Sequence, residues 1–358
     1  MSMVAGPPDD GATQPRPLTI AQLAELAQVS TATVSKVVNG RTEVRPETRA
    51  LIERLIHEHG YRPQRRRAPF APLVELAFDT LDGEAPAEVA AGVERVTREH
   101  GMAVTLSRLR YGDDRGRDWI EGVLSRRPTG VISVFCSLTG TEREQLATRG
   151  IPLVLLDPRD EQPAEVASVG ASDWSGGLTA TRHLLSLGHR RIAAVAGPAD
   201  ALAARARLDG YRTALDMAGL PVDPGLIAGP GDAPERLLRL PSPPTAILTC
   251  DDGQAAGVYR IVHRLGLRIP DDVSVIGFDA PLAGRWMDPP LTTIRRPLPE
   301  MAATAADLVL ALARGDRPVR HRVELGTDLI LRGSTTPAER YCRITENNLD
   351  ARRRGGLA

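Results

Sequence analysis

Four aspartates stand directly behind apolar runs that read as β-strands. Asp157 follows PLVLL, Asp251 and Asp252 follow AILTC, and Asp279 follows VSVIGF. Arg207 begins a helical run behind a further strand, IAAVA. In α/β proteins the carboxyl ends of strands face the crevice where ligands bind. Carboxylates and a guanidinium converging there can make paired hydrogen bonds to ligand hydroxyls. Asp79, behind LVELAF, is a weaker member of the same set. Aromatic residues are only 3% of the chain, so the position of each one counts. Phe135 ends the strand VISVF and Trp286 lies in the loop after Asp279. Either ring can stack on a sugar face, though ordinary packing or a lobe interface is the commoner role for such a ring. An aspartate at a strand end has a simpler use as the cap of the next helix, and Asp252 suits that use best.

A second polar set has a different chemistry. It lies within TIAQLAELAQVSTATVSKVVNGRTEVRPETRALIERLIHEHGY, residues 19–61. Thr19 can cap a first helix whose Ile20, Leu23, Ala24 and Ala27 share one face. Val29 and Ser30 form a tight corner, and Ser30 caps a second helix from Thr31 to about Asn39. Val34, Val37 and Val38 are its buried side, and Gly40 supplies the stop. Pro46 suits the first turn of a third helix, with Leu51, Ile52, Leu55 and Ile56 facing the first two. Two short helices with a tight corner, closed by a third, make a helix-turn-helix. Thr31, Ala32, Ser35 and Lys36 fall near the outer side of the second helix. Most are short, so the backbone can approach DNA closely. Thr31 and Ala32 can touch a thymine methyl or offer a hydroxyl, and Lys36 can reach guanine acceptors. Ser30, Asn39 and Thr48 stand at helix ends or first turns, where phosphate oxygens would sit. A three-helix bundle that binds only protein is the alternative, and the polar face beside the bundle argues against it.

The run T-I-x-x-L-A-x-L-A-x-V-S-x-A-T-V-S-K-V-V-N-G, followed by V-R-P-E-T-R and G-Y-R-P, resembles the DNA-binding head of the LacI/GalR transcription-regulator family. The resemblance places Thr31, Ala32 and Lys36 at base-reading positions. It places Ser30, Thr33, Asn39, Thr48 and Tyr61 near phosphates, and Thr19 is counted with this DNA-contacting set. The family more often carries Arg where Lys36 stands, and lysine is the weaker bidentate reader.

The elements that would hold the strand-end set lie further along. From Leu73 to about Thr336, apolar strands alternate with amphipathic helices, which implies parallel sheets covered on both faces. The run exceeds one comfortable doubly wound domain, so two lobes with a cleft between them are expected. LGHRRIAAVAGP, ARARLDGYRTAL, CDDGQAAG, RIPDDVSVIGFD and PPLTTIRRP make this body similar to the family's effector-binding core, which shares its fold with periplasmic sugar-binding proteins. The resemblance implies three crossings between lobes, near Gly170, Ile294 and Glu324. It also carries Asp157, Arg207, Asp251 and Asp279 over to effector contacts. The family usually has Asn where Asp251 stands.

The expected organisation is therefore α/β: an all-α helix-turn-helix head and a two-lobed, periplasmic-binding-protein-like core with parallel sheets. Residues 1–16 read as a disordered arm, 17–61 as the head, and 62–72 as a linker broken by Pro69 and Pro72. The core is 73–336, with one lobe at about 73–170 plus 295–323 and the other at about 171–294 plus 324–336. Residues 337–358 read as a flexible tail with no leucine heptad. After Asp232 the run APERLLRLPSPPTA is shorter than the corresponding helix of relatives.

Composition narrows the function. The chain has 358 residues and zero net charge, so basic character is local: Arg41, Arg45, Arg49, Arg54, Arg62, Arg65, Arg66 and Arg67 cluster in and behind the head. Lys36 is the only lysine. Cys136, Cys250 and Cys342 form no CxxC and point to a reducing cytoplasm. No apolar run approaches transmembrane length, and the polar N-terminus has no signal core. No GxSxG, P-loop or GxGxxG is present, and the histidines lack ligand spacing, so no catalytic set, metal or cofactor is expected. The expectation is a cytoplasmic, sequence-specific repressor that binds a pseudo-palindromic double-stranded DNA operator as a homodimer. A small molecule, first a sugar and alternatively a nucleobase or nucleoside, would control it. A sugar-binding protein without a DNA role is the rival.

Overall fold

The computed structural model describes residues 19–38, 44–59, 70–109, 115–229, 233–279, 282–316 and 320–338. The expected arm, Asn39, Gly40, Tyr61 and residues 339–358 lie outside the described residues. Two compact units divide between Phe70 and Ala71.

The first unit holds α1 (Ile20–Leu26), α2 (Thr31–Val38) and α3 (Pro46–Glu58). Thr19 starts α1 with a capping box: its hydroxyl accepts from Gln22 N at 3.3 Å, while Gln22 Oε1 accepts from Thr19 N at 2.8 Å. The turn into α2 passes through Gln28 at φ 51°, and Ser30 Oγ caps α2 by accepting from Thr33 N at 3.1 Å. Leu23, Ala24, Ala27, Val34, Val37, Val38, Val44 and Ile52 form one core. Leu51 departs from expectation. It stays 38% exposed, because a three-helix core this small is filled by Ile52, Leu55 and Ile56.

The second unit alternates strands and helices. In order these are β1 (Ala71–Phe78), α4 (Ala85–Glu99), β2 (Ala103–Arg108), α5 (Arg115–Arg126), β3 (Pro128–Val134), α6 (Gly140–Thr148), β4 (Leu153–Leu156) and β5 (Ala167–Ala171). There follow α7 (Asp173–Ser186), β6 (Ile192–Val195), α8 (Leu202–Met217), β7 (Ile227–Ala228), α9 (Ala233–Leu238), β8 (Ala246–Thr249), α10 (Asp252–Arg264), β9 (Ser274–Asp279) and β10 (Thr292–Arg295). The unit closes with α11 (Leu298–Arg314), β11 (Arg322–Leu325) and β12 (Asp328–Ile330). The strands make two six-stranded sheets, β11-β5-β4-β3-β1-β2 and β12-β10-β9-β8-β6-β7. Every pairing is parallel except that of β10 with β12. Each sheet is one lobe, and the chain passes between them after Ala171, after Arg295 and after Leu325. Glu324 itself lies within β11, and β1 opens at Ala71, inside the segment read as linker.

The near-continuous apolar strands follow from burial on both faces. In the second sheet Ala193, Val195, Ile247 and Val275 pack under α10, while Ile192, Ala194, Leu248 and Ile276 pack under α7 and α8. Two glycines let α7 and α8 touch backbone to backbone. A Cβ on Gly177 would stand 2.1 Å from Arg207 O, and one on Gly210 would stand 2.2 Å from Trp174 O. This close approach sets the position of Arg207.

Candidate effector cleft and DNA-reading face

Three of the strand-end residues share an unusual backbone. Phe135 behind β3, Asp157 behind β4 and Asp279 at the end of β9 have φ of 57°, 52° and 102°. Left-handed geometry is uncommon outside glycine, and a phenylalanine there is an outlier. Such positions cost about 1–3 kcal/mol each and gather where a site needs them.

Between the lobes these residues meet a charged network. Arg207 on α8 spends all three guanidinium nitrogens. Nε donates to Asp173 Oδ1 at 2.8 Å, Nη1 to the Cys250 carbonyl at 2.5 Å, and Nη2 to Asp279 Oδ1 at 3.2 Å. Its face lies 3.9 Å from the Phe278 ring centroid. Burial would lower its pKa, but Asp279 and Asp173 outweigh that and hold the guanidinium charged. Arg296 sits in the second passage between lobes and is only 5% exposed on its side chain. Its Nη2 lies 2.5 Å from Asp157 Oδ2, its Nη1 3.6 Å from Asp279 Oδ1 and its Nε 3.8 Å from Asp173 Oδ1. These are ion pairs without hydrogen-bond alignment, so the buried Nε and Nη2 make no aligned hydrogen bond among the described residues. Asp173, at the first passage, thus faces both arginines. Burial pushes its carboxyl up while Arg207 and Arg296 pull it down.

A cavity of about 300 Å³ opens above this network. Asp82, Gly83, Glu84, Ala85, Glu88, Phe135, Asp279, Arg296 and Leu298 line it. Glu84, ahead of α4, accepts from Leu282 N at 2.6 Å and Ala283 N at 3.2 Å, bridging the lobes. A second cavity of about 300 Å³ flanks the passages, with Asp157, Trp174, Leu202, Arg322 and Glu324 in its wall.

The expected effector set is therefore partly gathered. Phe135 and Asp279 line the inter-lobe cavity, and Asp157 and Arg207 hold the network beneath it. Asp251 serves as the cap of α10, accepting from Gln254 N at 2.7 Å, and burial raises its pKa. Asp252, expected to be the cap, is instead buried and accepts from Thr293 Oγ1 at 2.8 Å. Asp79 lines neither cavity, and its carbonyl accepts from Arg108 Nε at 3.1 Å. Trp286 is 80% exposed and lines neither cavity. Arg296, Asp173, Glu84 and Glu88 were missed by sequence reasoning. The available signal was position: Arg296 and Asp173 stand within three residues of two expected crossings.

In the head, Thr31, Ala32 and Lys36 are exposed on the face of α2 opposite Val34, Val37 and Val38. Ser30 and Thr33 hydroxyls lie 2.9 Å apart at its start, Thr19 is engaged in its capping box, and Thr48 is half-buried in the first turn of α3.

The profile of bacterial regulatory proteins of the lacI family matches residues 19–64, and that of periplasmic binding protein-like domains matches residues 181–335. The ribose operon repressor of Escherichia coli (strain K12) is 31% identical over 331 residues, covering 88% of this chain and 99% of that repressor. The chain belongs to the lacI family of bacterial regulatory proteins. Two solved structures of transcriptional regulators resemble it. One is the transcriptional regulator CelR–cellobiose complex, with TM-score 0.69, 29% identity, and coverage of 88% of this chain and 99% of that one. The other is the lac repressor dimer bound to operator and the anti-inducer ONPF, with TM-score 0.65, 28% identity, and coverage of 90% and 100%. As a lacI-family member, this chain is a DNA-binding transcriptional repressor with a helix-turn-helix head and a periplasmic-binding-protein-like core. No helix among the described residues is long and apolar enough to cross a membrane.

Proposed function

We propose that this lacI-family chain works in the cytoplasm as a homodimeric repressor of a pseudo-palindromic operator, gated by a small polyhydroxylated effector held between its lobes. The observation that carries this reading is the inter-lobe cavity, where Phe135 and Asp279 adopt costly backbone geometry beside Arg296. A cavity of about 300 Å³ is at the small end for ligand sites, which run from about 300 to 1,000 Å³, and suits a molecule of sugar size. The ribose operon repressor and the regulator–cellobiose complex, both similar to this chain, support a sugar over a nucleobase or nucleoside. Thr31, Ala32 and Lys36 read bases, and Ser30, Thr33, Thr48 and the flanking Thr19, Asn39 and Tyr61 hold the backbone. A head this small makes too few contacts alone, and a two-fold dimer doubles them. Effector binding shifts the lobes only if it favours one of their arrangements over the other.

The test begins by selecting the operator from random DNA with the full-length protein. The selected duplex is then titrated with and without members of a sugar and nucleoside panel. A two-fold symmetric site whose affinity changes with one panel member is the expected result. A selected sequence without symmetry, or a monomer by sedimentation at micromolar concentration, overturns the dimeric reading.

A further inference from the structure

The cleft that the proposed function relies on carries an uneven charge. Its wall presents four carboxylates, Asp82, Glu84, Glu88 and Asp279, against one guanidinium, Arg296. Three of the four are occupied. Asp82 accepts from Thr80 Oγ1 at 2.7 Å, Glu84 holds the amides of Leu282 and Ala283, and Asp279 faces Arg207 and Arg296. Glu88, half-buried on α4, has no hydrogen bond or ion pair among the described residues. Burial, Glu84, Asp279 and Glu300 all raise its pKa, and no cation offsets them. A carboxylate in this setting is stabilised by a positive charge brought from outside. On the same wall Arg296 is nine-tenths buried: its Nη2 is held by Asp157 at 2.5 Å, while its Nη1 has only Asp279 at 3.6 Å and makes no hydrogen bond among the described residues. A donor without a close acceptor is costly, and a ligand oxygen can supply one to Nη1. Phe135 adds an apolar ring to one side.

These groups ask for three things at once in a small volume: an ammonium toward Glu88, a hydroxyl or ring oxygen toward Arg296, and a carbon face toward Phe135. We infer that the effector of this cleft is a cationic, amine-bearing polyol of amino-sugar size rather than a neutral or phosphorylated sugar. A phosphate or carboxylate in the same place would meet the carboxylates of Glu84, Glu88 and Asp279 and be repelled. The inference rests on the reading of the cleft as the effector site. It deepens that reading by naming the chemical class.

The experiment uses matched pairs differing only in the amine: D-glucosamine with D-glucose, D-galactosamine with D-galactose, and D-mannosamine with D-mannose, plus D-glucose 6-phosphate. Affinity for the full-length protein is measured by calorimetry at about pH 6.5, below the range of the free amine. The amine of at least one pair is expected to bind about tenfold more tightly than its neutral partner, with no binding of the phosphate. In a folded Glu88→Gln variant the ratio within that pair is expected to fall toward one. Equal binding within every pair, tighter binding of the neutral or phosphorylated member, or an amine preference that survives Glu88→Gln overturns the charge inference alone. Binding by no member of any pair, neutral or amine, overturns the cleft as a sugar-type effector site and the inference with it.

Discussion

At the scale of single residues, function divides between a few exposed side chains and a few buried ones. Lys36 lies on the exposed face of α2, where a side chain can reach base edges. Lys36→Ala is expected to weaken operator binding by about 1–3 kcal/mol, mainly through one base pair per half-site. Equal loss on specific and random DNA would make Lys36 a phosphate contact instead. His189 is a buried counterpart with a structural role. It is 1% exposed, with Nδ1 2.8 Å from Thr245 Oγ1 and Nε2 2.9 Å from the Thr336 carbonyl. The carbonyl needs a donor, so the neutral ring carries its proton on Nε2 and accepts at Nδ1. Burial lowers its pKa from the usual 6.5, and His183 nearby adds to the effect. The folded state therefore binds fewer protons than the unfolded chain below about pH 6.5, and stability falls as pH drops through that window. Buried Asp173 and Asp251, with raised pKa values, act in the opposite sense at lower pH, above the ordinary aspartate range. The clean measurement is thus a comparison. His189→Gln should flatten the decline in melting temperature between about pH 6.5 and 5 relative to the parent. An unchanged slope would assign the decline to other groups.

At the scale of elements, the site depends on how closely α7 and α8 pack. Gly177→Ala puts a methyl group onto the Arg207 carbonyl, and backbone cannot yield as a side-chain tip can. A destabilisation of about 1–3 kcal/mol or more is expected by thermal or urea denaturation. If the variant keeps parental stability, the close approach is not what holds Arg207 in place. The same elements explain what was legible beforehand. VSVIGF, AILTC and LVELAF are mostly apolar on both faces, with buried Glu75 the charged exception, and are bounded by polar residues, so strand, parallel sheet and cleft side followed from them. The head was legible because capping residues, apolar spacing and Pro46 agree at every position. What escaped notice lies in short segments that mix polar with apolar residues and so show no clear period. The strands β5, β10, β11 and β12 span three to five residues each. Arg296 stands in a two-residue passage with no pattern of its own, and Asp173 opens a helix like many capping-region acids. Trp286 misled because an aromatic after a strand-end aspartate says nothing about which way its loop turns.

At the scale of the whole core, the two lobes are tied at the cleft edges and through its floor. Glu84 grips the amides of Leu282 and Ala283 on one side. On the other, Arg159 pairs with Asp200 at 2.7 Å and its carbonyl accepts from Leu202 N at 2.9 Å. Between them Asp157, Asp173, Asp279, Arg207 and Arg296 share charge across two of the three passages. These contacts separate two substitutions that the sequence alone would treat alike. Arg207→Ala strips buried Asp173 of its close partner and leaves Arg296 at 3.8 Å. Removing one partner of a buried ion pair costs about 3–5 kcal/mol, and the more distant Arg296 offsets only part of it, so this variant is expected to melt at clearly lower temperature. Asp279→Ala leaves Arg207 with Asp173 and the Cys250 carbonyl, so its charge stays paired and the core should hold. Asp279 lines the cavity, however, and its loss removes an acceptor from the cavity wall. Asp279→Ala is therefore expected to bind operator like the parent while its response to effector weakens by about 1–3 kcal/mol. Thermal denaturation and operator titration, each with and without effector, separate the cases. A normal effector response in Asp279→Ala would remove that residue from the site. Lost operator binding in the folded variant would instead make Asp279 part of the link between lobes and head.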